Sequence, residues 1–199
     1  MTFLIPSFTS LEASAPRGPR YDGQAMSLAQ FEQWEPLQRD GFKYEWNNGR
    51  LEAEASLKLS ETKIYRNMTR AFATTESYSR GWEMIGEVEL YLACVNRVRR
   101  PDLCVLRPDQ IDNPSPSGTV VPVFVAEIIS PFNTVFQIER KTRDYFRAGV
   151  RVVWHIYPNL GEVRVWTSPK DIDVCSDMDL CNAQPAISDF QMKARTVFR

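Results

Sequence analysis

Apolar and polar positions change period several times along the chain, and each change marks an element. Leu28, Phe31 and Trp34 share one helical face behind Ser27, with Gln30 three residues on, the pattern of a short helix with a capping box. Phe42–Asn47 and Arg50–Ala55 flank Asn48-Gly49, a strong hairpin signal. Ile64, Met68, Ala71 and Phe72 follow helical spacing and predict a helix over about residues 61–78. Residues 87–94 alternate, with Val88, Leu90, Leu92 and Cys94 on one face of an expected strand. A short apolar strand is expected over 102–106, and a central buried one over 120–129. Between them, residues 107–118 are rich in Pro, Asp, Asn and Ser and read as a surface loop. Residues 134–148 read as a helix ended by Gly149, with Glu139–Arg143 and Arg140–Asp144 as outward i,i+4 pairs. Strands are expected over Val152–Tyr157 and 163–166, followed by an acidic tail from Ser168. Helix, hairpin, helix, strands, helix and strands in that order predict an α/β fold with a mixed sheet and one strand–helix–strand unit at 121–157.

Residues 1–25 carry Pro and Gly without periodicity and read as a flexible tail, leaving 26–199 as a single domain. The N-terminal segment lacks the charge and apolar length of a leader, and no apolar run reaches the roughly 18 residues of a membrane span, so the expectation is a cytoplasmic protein without a membrane partner. Lys plus Arg number 24 against 25 Asp plus Glu, so any nucleic-acid footprint has to be local. The four cysteines form no C-x-x-C pair, and His155 is the single histidine, which argues against a zinc site and reads the thiols as buried and free. His155 lies inside an apolar strand and reads as a packed residue, not a catalytic base.

Two carboxylates fall where strands should be buried. Asp102 follows Pro101 at a strand opening, and Glu127 sits in Val123-Phe-Val-Ala-Glu-Ile-Ile129. A buried charge needs a partner. A salt bridge to Arg99, Arg100 or Lys141 would supply one, and so would a hard divalent cation held by carboxylates and water. Lys141 lies on the shoulder of the apolar stripe of its helix, where it can snorkel or reach over the strand end. Two strand acids and one lysine are the equipment of metal-assisted phosphodiester hydrolysis. Glu45, just before the hairpin turn, is a further candidate, although the pattern alone makes it an exposed hairpin glutamate.

Pro101-Asp102, Glu127-Ile-Ile-Ser130-Pro131, Lys141, Tyr145, Ala148-Gly149-Val150 and Val153-Trp154, with Tyr44-Glu45 and Asn48-Gly49 before them, resemble the Uma-two family of restriction endonucleases in the PD-(D/E)XK superfamily. The resemblance spans about residues 27–167, with a weak echo at Ile187 and Phe190. It implies a restriction-endonuclease-like core and a metal-dependent endonuclease acting on DNA. Asp102 and Glu127 would bind Mg²⁺ or Mn²⁺, Lys141 would be a lysine migrated onto the helix, and Glu45 would be an auxiliary acid. Ile129 stands where the superfamily pattern has its lysine, Asn48 replaces a frequent hairpin aspartate, and no histidine stands at the following helix start near Glu61-Thr62.

Arg99 and Arg100 in one basic stretch, and Arg140 and Arg143 in another, are the expected DNA contacts, against the plainer reading of solvated surface charge. Two other readings compete with the nuclease. One is a fold that has lost cleavage and serves as a DNA-binding or protein-interaction module, which the broken lysine spacing favours. The other is a structural domain with ion-paired buried acids. A homodimer is expected only by analogy, because duplex cleavage needs two cuts.

Overall fold

The computed structural model describes residues 18–55, 59, 61–113, 119–131 and 133–199. The Ser27 hydroxyl accepts from the Gln30 N–H, the Gln30 side chain accepts from the Ser27 N–H, and α1 (Leu28–Trp34) buries Phe31. The hairpin β1 (Phe42–Asn47) and β2 (Arg50–Ala55) turns through Asn48 and Gly49, both at positive φ (45° and 92°), as a two-residue turn between twisted strands requires. The stretch before α1 departs from the expected tail. Ala25 bridges Arg50, the Gly23 N–H donates to Leu51 O, and Tyr21 packs edge-on against Trp34 and Tyr44. Residues 1–17 of that expected tail lie outside the described residues.

The helix expected over 61–78 is two. α2 (Thr62–Phe72) buries Ile64, Met68 and Phe72, and α3 (Glu76–Ser79) restarts where the Thr75 side chain accepts from the Tyr78 N–H. A threonine that caps a new helix competes with continuing the old one. The strand expected over 87–94 is also broken. β3 (Glu83–Ile85) and β4 (Leu90–Leu92) stand apart because Glu87 takes a positive φ of 56°, and Cys94 lies exposed in a 3₁₀ turn (Ala93–Val95). The thiols of Cys104, Cys175 and Cys181 are buried and free as expected.

β5 (Arg97–Arg99) and β6 (Leu103–Leu106) follow, then α4 (Pro108–Asp112) inside the expected loop, of which residues 114–118 lie outside the described residues. β7 (Phe124–Ile128), α5 (Val135–Ala148) and β8 (Val152–Tyr157) form the strand–helix–strand unit, its two strands parallel. α5 starts at a Thr134–Gln137 capping box and stops at Gly149, whose φ of 109° suits a residue without Cβ. β9 (Glu162–Ser168) and β10 (Asp171–Ser176) extend the sheet, so the acidic tail is in fact an edge strand, charged as edges commonly are. β11 (Leu180–Asn182), β12 (Gln191–Lys193) and α6 (Ala194–Phe198) complete the chain.

Six strands form the main sheet, in the order β10-β9-β8-β7-β6-β3, and four form a second sheet, β2-β1-β5-β4. The pleat sorts the main sheet's side chains. Leu103, Val105, Phe124, Ala126, Ile128, Val152, Trp154 and Ile156 face a core closed by α2 and the C-terminal segment, where Phe190 stacks on Trp154. Cys104, Leu106, Val125 and Val153 face α5 and Tyr145, together with Leu90 and Leu92 of the second sheet. By the period of two, Asp102, Glu127 and His155 share this second face. The second sheet puts Tyr44, Trp46, Leu51 and Val98 against α1. Its opposite pleat points Lys43, Glu45, Glu52, Glu54, Arg97 and Arg99 inward.

Candidate functional site

The inward charges of the second sheet meet the acids of the main sheet under α5. Asp102, Glu127, Lys141, Lys43, Glu54 and His155 line one cleft, with Ser130, Asn133 and Gln137 at the entry to α5. Leu103 pairs with Ala126 across β6 and β7, so the next register position sets Asp102 opposite Glu127. Asp102 is held by main and side chain alike. Its Oδ2 accepts from the Ile128 N–H at 2.7 Å and its Oδ1 from Lys43 Nζ at 2.8 Å.

Glu127 Oε1 accepts from the Tyr145 hydroxyl at 2.6 Å and lies 3.9 Å from Lys141 Nζ. Burial pushes Glu127 up to about 8. Asp102 and Glu54 add to the rise, and Lys141 offsets only part of it. Lys141 Nζ reaches Glu45 Oε1 at 2.9 Å and pairs with Glu54. Glu45 has no exposed surface. Burial alone would raise its carboxyl, but Lys141, Arg99 and the Arg100 N–H outweigh that and pull it down to about 2. Glu54 goes the other way, raised by burial and by the charge of Glu45.

Behind Glu45 lies a second layer. Arg99 Nη1 pairs with Glu45 and with Glu52, each at 2.7 Å, and Nη2 pairs with Asp144 at 2.7 Å. Arg97 also pairs with Asp144, and Arg140 with Glu52 at 2.5 Å. Among the described residues, seven carboxylates (Glu45, Glu52, Glu54, Glu87, Asp102, Glu127 and Asp144) are thus linked to five cations (Lys43, Lys141, Arg97, Arg99 and Arg140), two more negative than positive groups within this network. A proton on Glu127 offsets part of that excess in the absence of a cation, and a divalent cation would offset it in the proton's place. Among the described residues no three His, Cys, Asp or Glu side chains converge on one point. The donors facing the cleft are carboxylate oxygens on neighbouring strands. That set suits a hard ion such as Mg²⁺ or Mn²⁺, completed by water, and does not suit zinc.

Glu45, Asp102, Glu127 and Lys141, spread over 97 positions of sequence, therefore share one site. The four expected DNA-contacting arginines do not. Arg99 is fully buried and its guanidinium is spent on three carboxylates, so it cannot meet a phosphate. Arg100 pairs with Glu35 at 2.6 Å and Glu89 at 2.9 Å, and Arg140 with Glu52. Arg143 is exposed, as are Arg147 and Arg151. The Arg140–Asp144 helix pair does not form, because Asp144 turns inward to Arg97 and Arg99; the Glu139–Arg143 pair does, at 3.3 Å.

Lys43 and Glu54 are the residues that sequence reasoning missed. They face each other across the hairpin, as do Glu45 and Glu52. The signal available was the strict alternation of charge with Tyr44, Trp46, Leu51 and Ala53, which normally marks a solvated face. His155 is packed as expected. Thr142 Oγ1 donates to Ile138 O and accepts from His155 Nε2 at 2.9 Å, while Trp166 Nε1 donates to His155 Nδ1 at 3.1 Å.

The fold is a mixed α/β one, with multi-stranded sheets flanked by helices. The chain belongs to the Uma2 family, described as "putative restriction endonuclease", whose profile matches residues 28–195. Its fold is similar to a crystal structure from Anabaena variabilis described as a "putative nuclease belonging to DUF820". The two share 15% identity, with a TM-score of 0.73 over 87% of this chain and 97% of that one. No curated protein matched the chain by sequence. Among the described residues, no helix is long and apolar enough to cross a membrane.

Proposed function

We propose that the protein is a divalent-metal-dependent endonuclease that hydrolyses DNA phosphodiester bonds. The observation that carries this reading is the meeting of Asp102, Glu127 and Lys141, from two strands and a helix, in one cleft. Asp102 and Glu127 would hold Mg²⁺ or Mn²⁺. When bound, the ion supplies Lewis acidity to the phosphoryl oxygen and lowers the pKa of water. Lys141 orients the attacking water and screens the phosphate's charge. Glu45, charged at every physiological pH and itself held by Arg99, fixes the Lys141 ammonium at 2.9 Å. Tyr145 fixes the Glu127 carboxyl through its 2.6 Å hydrogen bond. Of the four expected arginines, Arg143, exposed on α5 and paired there with Glu139, is the one open to meet the DNA backbone.

The test is a cleavage assay on supercoiled plasmid and on single-stranded DNA, with Mg²⁺ or Mn²⁺ at low salt and an EDTA control. Asp102→Ala and Glu127→Ala are expected to lose cleavage while keeping a cooperative thermal transition. Lys141→Ala is expected to lose rate more than metal affinity. Cleavage persisting in either acid variant overturns the assignment. Salt-sensitive DNA binding without cleavage by the wild type would support the module that binds and no longer cuts.

A further inference from the structure

The chemistry above leaves one ammonium of the cleft without a task. Lys43 enters from β1, its side chain only 7% exposed. Its Nζ lies 2.8 Å from Asp102 Oδ1, 3.7 Å from Glu54 and 3.6 Å from Glu87, and donates to Arg100 O at 3.2 Å. A buried ammonium surrounded by three carboxylates and a carbonyl occupies the kind of oxygen cage that a free cation takes. Glu87 differs from the other two acids. It sits at the rim, 38% exposed, on a backbone of positive φ. The lysine therefore has one acid inside the cleft and another at its mouth.

We infer that Lys43 is a tethered counter-cation of this site. Its ammonium neutralises Asp102 while the cleft holds no metal, withdraws toward Glu87 when a divalent cation binds, and so sets how tightly that cation is held. The inference rests on the metal reading of Asp102 and Glu127. Its physical basis is like-charge repulsion: a divalent ion on Asp102 meets a unit charge a few ångströms away, in a site where screening by water is weak.

Mn²⁺ binding to the full chain, followed by the electron paramagnetic resonance signal of free Mn²⁺, tests this without reference to cleavage. Lys43→Gln, which keeps length and removes charge, is expected to bind Mn²⁺ about tenfold tighter than the wild type or better. Lys43→Arg, which keeps charge, is expected to gain no affinity, and Asp102→Asn to bind about tenfold more weakly or worse. If folded Lys43→Gln binds no tighter while Asp102→Asn binds worse, the inference falls and the metal site stands. If no Mn²⁺ binds to any of these proteins, the metal reading falls and takes the inference with it. Should Lys43→Gln lack a cooperative melting transition without metal, Mn²⁺ is expected to restore it by standing in for the ammonium. Failure of Mn²⁺ to restore the transition overturns the inference.

Discussion

Arg99 holds Glu45, Glu52 and Asp144 with one guanidinium, and through Glu45 it bears on the position of Lys141. Burial opposes its charge, but the three carboxylates outweigh that and keep it protonated. Removing one partner of such a cluster strands the others, at a cost of about 3–5 kcal/mol. Arg99→Met is therefore expected to lose about 3 kcal/mol or more in urea unfolding. Arg143→Ala, which removes an exposed side chain, should stay within about 0.5 kcal/mol of the wild type. Equal effects of the two would contradict the buried role. At this scale the sequence carried the acids and the helix lysine, because a carboxylate in an apolar strand is conspicuous. It did not carry Lys43, Glu54 or the inward turn of Asp144. Each belongs to an alternating or helical pattern whose polar face normally meets water, and only the second sheet lying across α5 turns those faces inward.

At the scale of elements, legibility followed local signals. The hairpin, α1, α5 and β8 each carry a turn pair, a cap or an unbroken apolar run, and each stands close to where those signals put it. The elements that were misread depend on single residues overriding a pattern, as Thr75 does in splitting the helix and Glu87 in breaking the strand. From β10 to α6 the local signal misleads: β10 alternates, but its Ile172 and Val174 stay exposed, while Phe190 becomes core by packing on Trp154 and Phe124. One connection positions the site directly. Gly86, between β3 and β4, lies so close to Asp102 that a Cβ there would stand 2.8 Å from the Asp102 carbonyl oxygen and 2.3 Å from the Tyr65 ring. Backbone cannot give way as a side-chain tip can. Gly86→Ala is expected to cost about 1–3 kcal/mol in chemical unfolding and to weaken Mn²⁺ binding by displacing Asp102. Gly41→Ala, in open space but at positive φ, tests backbone strain alone and should leave Mn²⁺ binding intact. A loss of Mn²⁺ affinity in the Gly41 variant as well would remove the special claim for Gly86.

For the whole molecule, His155 ties α5, β8 and β9 together, and its protonation state is coupled to folding. Thr142 accepts its Nε2–H, and Nδ1 accepts from Trp166, so the ring is held neutral with no room for a second ring proton. Burial lowers its pKa from 6.5 to about 4. A depressed folded pKa means that the unfolded chain binds the proton first. The stability His155 contributes is full above pH 6.5 and is lost as pH falls through 4, amounting to about 3 kcal/mol. Glu127 acts in the opposite sense. Its pKa is raised from 4.5 to about 8, so its neutral form favours the fold at low pH and that contribution drains away as pH rises through 8. Between pH 4.5 and 6.5 the two slopes oppose each other, and Glu54, also raised, adds to the Glu127 side. Replacing the ring by His155→Phe removes one slope and leaves the other. The stability difference between wild type and His155→Phe, measured by urea unfolding from pH 4 to 8, should grow up to about pH 6.5 and then stay level. A difference that does not change with pH would mean that the folded ring titrates as freely as the unfolded one. In that case the hydrogen bonds to Thr142 and from Trp166 do not hold the ring neutral.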